Sequence, residues 1–272
     1  MTNKKPKIIT IATLKGGTGK TTVAYNTSFY LATTKKKKVL MIDLDPQCNL
    51  SSNCHLDIFS NDLPSIGDLL ENANKKDIEP IKYIVLGPNP NAPNLDIIPS
   101  TMFLHGTETK LTQLPAREQI IKNYILDNLH FFEYYDYIVF DTGPNFGIIN
   151  QNAFVVSDHI VMCCDPDVNS ANGCNVFTTI WNELRAYMKL ESKIDAFVIN
   201  NVERTNISRE FMDYIKNHEI FSEIVLDTYI PHTTLFKECT AEGNSITFKS
   251  PKSKGAIAIK GITQELFDRG IF

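Results

Sequence analysis

The sequence predicts a single α/β domain with a doubly wound, mostly parallel sheet and helices on both faces. Short runs of apolar and β-branched residues recur along the chain, separated by segments long enough for helices. Runs that are apolar on both faces are typical of parallel strands covered by helices on each side. A glycine-rich string also follows the first run and opens a helix. The strand-helix-strand order implies right-handed crossovers.

Six apolar runs are predicted as strands because they are short, β-branched and bounded by polar segments. They are Ile8–Thr13, Val39–Ile42, Leu95–Ile98, Tyr137–Phe140, Ile160–Cys164 and Ala196–Ile199. The longer segments between and after them predict helices, including Lys20–Ala32, Asn169–Leu190 and Gly255–Phe272.

Composition limits the class of protein. The chain of 272 residues is 43% hydrophobic and 21% charged, which is typical of a globular domain, so we treat residues 1–272 as one domain. The net charge of −4 gives no overall attraction to nucleic acid, so any DNA contact needs a local basic patch. The six cysteines lack metal-type pairing, and no apolar run reaches about 18 residues. We therefore expect a reduced, cytoplasmic protein.

The glycine-rich string is the strongest motif, because it lies between a predicted strand and a predicted helix. It consists of Lys15, Gly16, Gly17, Thr18, Gly19, Lys20, Thr21 and Thr22. Glycines let successive backbone N–H groups turn toward phosphate oxygens, and the following helix adds its positive N-terminal dipole. Lys20 is expected to neutralise β- and γ-phosphate oxygens, and the Thr21 hydroxyl to ligate Mg²⁺.

Acidic residues follow two of the predicted strands. Asp43 and Asp45 are two residues apart, so their side chains project from the same side of the chain. They lie at the carboxyl end of a strand, the edge at which α/β sheets bind ligands. Asp141 ends the hydrophobic run Tyr137–Phe140, which is the form of a Walker B site, and is expected to hold Mg²⁺ through water.

The glycine-rich string departs from the general G-x-x-x-x-G-K-[ST] pattern, because Leu14 occupies the first glycine position. With Lys15 it resembles the deviant Walker A loop K-G-G-x-G-K-[ST] of the ParA/MinD family of P-loop NTPases. The D-x-D-P-Q string at residues 43–47 is similar to the family's second signature, whereas Gly143 stands where the family usually has proline. Weaker matches run along nearly the whole chain in the order typical of ParA/Soj-type partition ATPases. Since seven residues precede the first predicted strand, we expect no N-terminal helix-turn-helix domain.

The resemblance implies an ATP-hydrolysing switch that uses ATP and Mg²⁺ and forms an ATP-sandwich homodimer. In such a dimer Lys15 would reach the partner's phosphates. By the same likeness Asp45 would position the attacking water and Asp43 would support the metal shell. Asn200 and Pro231 would lie at the adenine, with the alternative that Asn200 only satisfies its own strand-end turn.

The resemblance also implies that the ATP-bound dimer binds non-specific DNA on the nucleoid, and that a ParB-like centromere-binding protein stimulates hydrolysis. The candidate DNA contacts are basic residues: Arg204, Arg209, Lys237, Lys249, Lys252 and Lys254. The alternative is that these are ordinary solvated side chains on an acidic protein.

Two related functions compete with DNA partition. A MinD-like membrane-positioning ATPase would need an amphipathic C-terminal helix, and the end of this chain, Leu266–Phe272, includes Asp268 and Gly270 and little positive charge. We therefore expect no membrane partner. An iron-protein relative would hold a cluster through cysteines, for which the adjacent pair Cys163 and Cys164 is a poor match.

Overall fold

The computed structural model describes residues 5–73, 75, 79–191 and 193–272. Within these residues six strands form one sheet, in the order β3-β2-β4-β1-β5-β6, and every neighbouring pair is parallel. The strands are β1 (Lys7–Ala12), β2 (Val39–Leu44), β3 (Leu95–Ile98), β4 (Tyr137–Thr142), β5 (His159–Cys164) and β6 (Lys193–Ile199). The predicted fold class and all six predicted strands are confirmed.

Thirteen α-helices surround the sheet in the described part of the chain, with 3₁₀ turns at Pro80–Tyr83 and Arg117–Gln119. The helices are α1 (Lys20–Thr33), α2 (Asn49–Asn53), α3 (Ile66–Asn72), α4 (Leu104–Leu111), α5 (Ile120–Asp127), α6 (Leu129–Phe132), α7 (Ile148–Val156), α8 (Val168–Met188), α9 (Asn206–Lys216), α10 (Phe221–Ile224), α11 (Leu235–Ala241), α12 (Ile246–Lys249) and α13 (Lys254–Asp268).

The sheet is buried on both faces because alternate residues of each strand enter different cores. On β1, Ile9 and Ile11 pack in a cluster with residues of α1 and α13. Ile8, which points to the opposite face, packs in a second cluster with residues of α3, α4, α5 and α7. A third cluster joins α8 and α9 to the β5–β6 side, where Trp181 is fully buried. Helices thus cover both faces, as predicted.

The last helix ends earlier than the sequence predicted, at Asp268 rather than Phe272. Gly270 has φ +74°, a left-handed conformation that favours glycine, and the Ile271 N–H donates to the Leu266 carbonyl at 2.9 Å. The chain therefore turns back, and Phe272 is buried against the Tyr137 ring with centroids 5.5 Å apart. The apolar end of the chain is part of the core rather than a free amphipathic face.

We expect Ile259→Ala to lower the free energy of unfolding by about 2–5 kcal/mol, because truncating a fully buried isoleucine leaves a cavity. Ile259 lies on α13 in the core shared with α1 and is 0% exposed. Ile257 on the same helix is 59% exposed and provides the matched control, for which Ile257→Ala should cost less than about 0.5 kcal/mol. Urea denaturation of both variants measures the difference, and equal losses would contradict the packing described here.

Candidate functional site

The glycine-rich loop connects β1 to α1 and requires glycine at two positions. Gly17 and Gly19 have φ values of +79° and +86°, where a side chain is disfavoured. A Cβ at Gly19 would also lie 1.8 Å from the Asn200 amide nitrogen. The loop can therefore approach the end of β6 only because Gly19 has no side chain.

The ends of β5 and β6 hold this loop through the Thr18 carbonyl. That oxygen accepts hydrogen bonds from Asn200 Nδ2 at 2.9 Å and from Cys163 Sγ at 3.1 Å. Because the peptide bond is planar and trans, the N–H of Gly19 points the opposite way, away from these two side chains. The sheet thus sets the direction of a backbone donor in the loop.

A cavity of about 360 Å³ opens beside the loop. It brings together seven of the residues predicted from sequence: Gly16, Gly17, Gly19, Lys20, Thr21, Thr22 and Asp45. Other residues on its wall were not predicted as site residues: Gln47, Asn49, Asn53, Pro144, Phe236 and Thr240. Lys237, predicted as a DNA contact, also lines it.

Other predicted site residues lie behind or beside the cavity. Asn200 is 3% exposed and its side chain bonds to the loop rather than to its own turn. Pro231 pairs with Val202 in an isolated parallel bridge next to the end of β6. The roles of Asn200 and Pro231 at an adenine remain predictions.

Asp43 and Asp141 lie opposite each other on β2 and β4, both fully buried. Asp43 accepts hydrogen bonds from the Ser51 N–H at 2.9 Å, the Ser51 hydroxyl at 2.7 Å and the Asp45 N–H at 3.1 Å. Burial raises the pKa of Asp43, and the Ser51 hydrogen bonds oppose that shift. Asp43 therefore ties the loop that carries Asp45 to α2.

Asp141 has no such support. Among the described residues, no group makes a well-formed hydrogen bond to either of its carboxylate oxygens. Burial raises the pKa of Asp141, and the charge of Asp43 raises it further, while the nearby Thr21 hydroxyl and the Lys20 ammonium oppose the shift. A buried carboxylate that accepts no well-formed hydrogen bond from the described residues, and that lies beside a hydroxyl, suits a hard cation such as Mg²⁺.

The described residues contain no group of three or more His, Cys, Asp or Glu side chains that could hold a metal ion alone. Mg²⁺ is usually bound by one or two protein oxygens together with water and phosphate. The pair formed by Thr21 and Asp141 fits that chemistry, and water and phosphate would supply the remaining ligands.

Lys20, the first residue of α1, is 6% exposed, and its Nζ donates to the Lys15 carbonyl at 3.2 Å. Burial lowers the pKa of Lys20, and the charge of Asp141 is the largest effect that opposes this shift. The ammonium is therefore kept close to the loop backbone at the cavity wall.

Lys15 does not line the cavity but forms an ion pair with Asp167 of its own chain. Asp167 also caps α8, where its carboxylate accepts hydrogen bonds from the Ser170 N–H at 3.0 Å and the Ser170 hydroxyl at 2.9 Å. Burial alone would raise the pKa of Asp167, but the bonds from Lys15 and Ser170 outweigh it and hold that pKa below its ordinary value.

The loop after β4 is held by a side-chain amide. Asn150 Oδ1 accepts from the Gly143 N–H at 3.3 Å, and Asn150 Nδ2 donates to the Asn145 carbonyl at 2.9 Å. Proline at position 143 would lack that N–H. Glycine thus supplies a donor that fixes this segment next to Asp45.

The remaining basic residues predicted as DNA contacts are exposed and lie in two groups. Arg204 and Arg209 flank the start of α9, and Lys249, Lys252 and Lys254 lie between α12 and the start of α13. Lys249 forms an ion pair with Glu242. In the part of the chain that the structure describes, no helix combines the length and the apolar character needed to cross a bilayer.

Comparison with known proteins gives the following likenesses. Residues 6–196 match the family described as AAA domain. The chain is 28% identical to the sporulation initiation inhibitor protein Soj of Bacillus subtilis, over 97% of this chain and 99% of Soj. It is 29% identical to the virulence plasmid ParA family protein pGP5-D of Chlamydia psittaci, over 96% and 94% of the two chains. A plasmid partition protein of Borrelia burgdorferi B31 bound to AMPPNP has the same fold, with a TM-score of 0.78 at 23% identity and coverage of 98% and 100%.

We expect Gly19→Ala to destabilise the protein more than Gly17→Ala. Both place alanine at positive φ, which costs about 1–2 kcal/mol, but a Cβ at Gly17 meets no atom within 4 Å. At Gly19 the collision with Asn200 adds about 1–3 kcal/mol of overpacking. Urea denaturation of the ligand-free variants measures both, and an equal loss would show that Asn200 moves aside freely.

Proposed function

Since the chain belongs to the ParA/Soj-type family of deviant Walker A P-loop ATPases, we propose that it is an ATP-hydrolysing molecular switch for DNA partition. The observation that carries the proposal is the cavity in which the phosphate loop, Lys20 and Asp45 meet. A loop of backbone N–H groups, a lysine and a helix N-terminus together bind a polyphosphate. A carboxylate on the same wall gives that site a group able to orient water.

In this proposal Lys20 neutralises phosphate oxygens, while Thr21 and Asp141 hold Mg²⁺. Bound there, the metal would supply positive charge against the phosphate. Asp45 Oδ1 accepts from the Gln47 N–H at 2.9 Å, which fixes the carboxylate so that it can orient the attacking water. Asp43 acts through Asp45, because it binds the Asp45 N–H.

Hydrolysis is proposed to depend on a second copy of the chain, in which Lys15 contacts the partner's phosphates. A cation supplied in trans is worth roughly 10³–10⁵ in rate in enzymes that use one. In the isolated chain Lys15 is bound to Asp167, so dimer formation has to exchange Asp167 for phosphate. Turnover is proposed to stay slow until a ParB-like centromere-binding protein stabilises the productive dimer.

DNA binding is proposed for the dimer because the exposed basic residues of one chain form small groups. Non-specific DNA binding has a Kd of about 10⁻⁴–10⁻⁶ M at physiological salt, and two linked patches bind more tightly than one. The ATP-bound dimer would therefore be retained on the nucleoid, and the monomer released. The buried end of the chain, where Phe272 packs on Tyr137, does not favour the MinD-like membrane alternative.

We expect Lys20→Ala to abolish binding of magnesium-ATP, because it removes the buried cation of the cavity. Lys15→Gln should bind ATP as a monomer with little change but lose turnover that depends on dimerisation. Calorimetric titration measures ATP binding, ultracentrifugation measures dimerisation, and phosphate release measures turnover. Equal loss of ATP binding in both variants would remove the role of Lys15 in the partner's site, and absence of ATP binding by the unaltered protein would refute the proposed function.

The DNA-partition part of the proposal predicts that ATP, but not ADP, retains the protein on non-specific DNA. Retention should fall steeply as salt is raised, because phosphate contacts release counterions. Pull-down on a DNA fragment of arbitrary sequence, with ATP, ADP or no nucleotide, measures it. Retention that ignores the nucleotide, or ATP-dependent binding to anionic liposomes instead, would refute DNA partition.

A further inference from the structure

We infer that Lys237 of α11 is a second cationic contact for the polyphosphate of the bound nucleotide, supplied by the same chain as Lys20. The inference rests on the proposed function, because it concerns the same cavity. It assigns Lys237 to the nucleotide rather than to DNA.

Two walls of different origin enclose the cavity. The phosphate loop and the start of α1 form one wall, and α11 contributes Phe236, Lys237 and Thr240 to the other. Phe236 and Cys239 are 9% and 3% exposed and pack in the core, so they fix which side of α11 is buried. Lys237 and Thr240 are three residues apart and therefore lie on one side of the helix.

The segment that follows α11 is bound to α1, the helix that begins at the phosphate loop. The Gly243 carbonyl, just after α11, accepts a hydrogen bond from the Tyr25 hydroxyl at 2.7 Å. Asn26 Oδ1 accepts from the Ser245 hydroxyl at 2.8 Å and from the Ile246 N–H at 3.0 Å. Tyr25 and Asn26 belong to α1, so the chain just after α11 is anchored to the helix that begins at the phosphate loop.

The acidic residues of and next to α11 have other partners, so the Lys237 ammonium is available to a ligand. Glu238 accepts a hydrogen bond from the Thr234 hydroxyl at 2.8 Å, and Glu242 is paired with Lys249. Among the described residues Lys237 forms no ion pair within 4.0 Å, and its side chain is exposed. An ammonium on a flexible side chain at the rim of an anion site can reach a phosphate without first breaking an ion pair.

The cavity needs such a charge. Of the side chains that line it, Lys20 and Asp45 carry opposite charges, so without Lys237 the lining is close to neutral. A polyphosphate is strongly anionic even with Mg²⁺ bound, and a second lysine compensates its charge.

The test is the affinity of Lys237→Ala for magnesium-ATP, with inorganic tripolyphosphate as a competitor that lacks base and sugar. Loss of one charge-assisted contact should weaken both ligands about tenfold or more. Lys237→Arg keeps the charge and should retain most of the affinity, which a merely structural role would not explain. The matched control is Lys216→Ala, an exposed lysine in the last turn of α9 and outside the cavity.

The inference would be overturned if Lys237→Ala bound ATP with unchanged affinity at low salt. If Lys20→Ala still failed to bind ATP in the same assay, the proposed function would stay intact. Weakened ATP binding with unchanged tripolyphosphate competition would also overturn the inference, because Lys237 would then act on the base or sugar. If the unaltered protein binds neither ligand, the proposed function fails and the assignment of Lys237 fails with it.

Discussion

The structure depends on the two hydrogen bonds that the Thr18 carbonyl accepts from Asn200 and Cys163. They join the phosphate loop to the ends of β5 and β6, so the loop is held by the sheet as well as by its own turn. The contact exists because Gly19 leaves room for the Asn200 amide. An anion site made of backbone groups needs such a fixed support, since its donors have no side chains that could adjust.

The shape of the cavity also depends on α1. This helix begins at Lys20 of the phosphate loop and, five and six residues later, binds residues 243–246, after α11, through Tyr25 and Asn26. The last third of the chain thereby supplies the wall opposite the loop. Two segments about 220 residues apart in sequence form one cavity, and direct bonds join α1 to the segment that follows α11.

The sequence was sufficient for the strands and the phosphate loop, because each depends on local pattern: apolar runs for the sheet, and glycines at positive φ for the loop. It was not sufficient for residues whose role comes from distant contacts. Phe236 and Lys237 carry no motif, and only the packing of α11 brings them to the cavity. The bonds from Ser51 to Asp43 likewise depend on a neighbour that local pattern does not reveal. Gly270, which ends α13 early, is by contrast a local signal.

The pair of Lys15 and Asp167 has a kinetic consequence. Both side chains are about one-third exposed, at 34% and 35%, and ion pairs of this kind contribute at most about 1 kcal/mol. A contact that weak is open in at least about one molecule in six at equilibrium. Conformers in which Lys15 is free of Asp167 are therefore already populated before two chains meet. The encounter selects these conformers. The ion pair thus disfavours premature association, but breaking it is not the slow step of dimer formation.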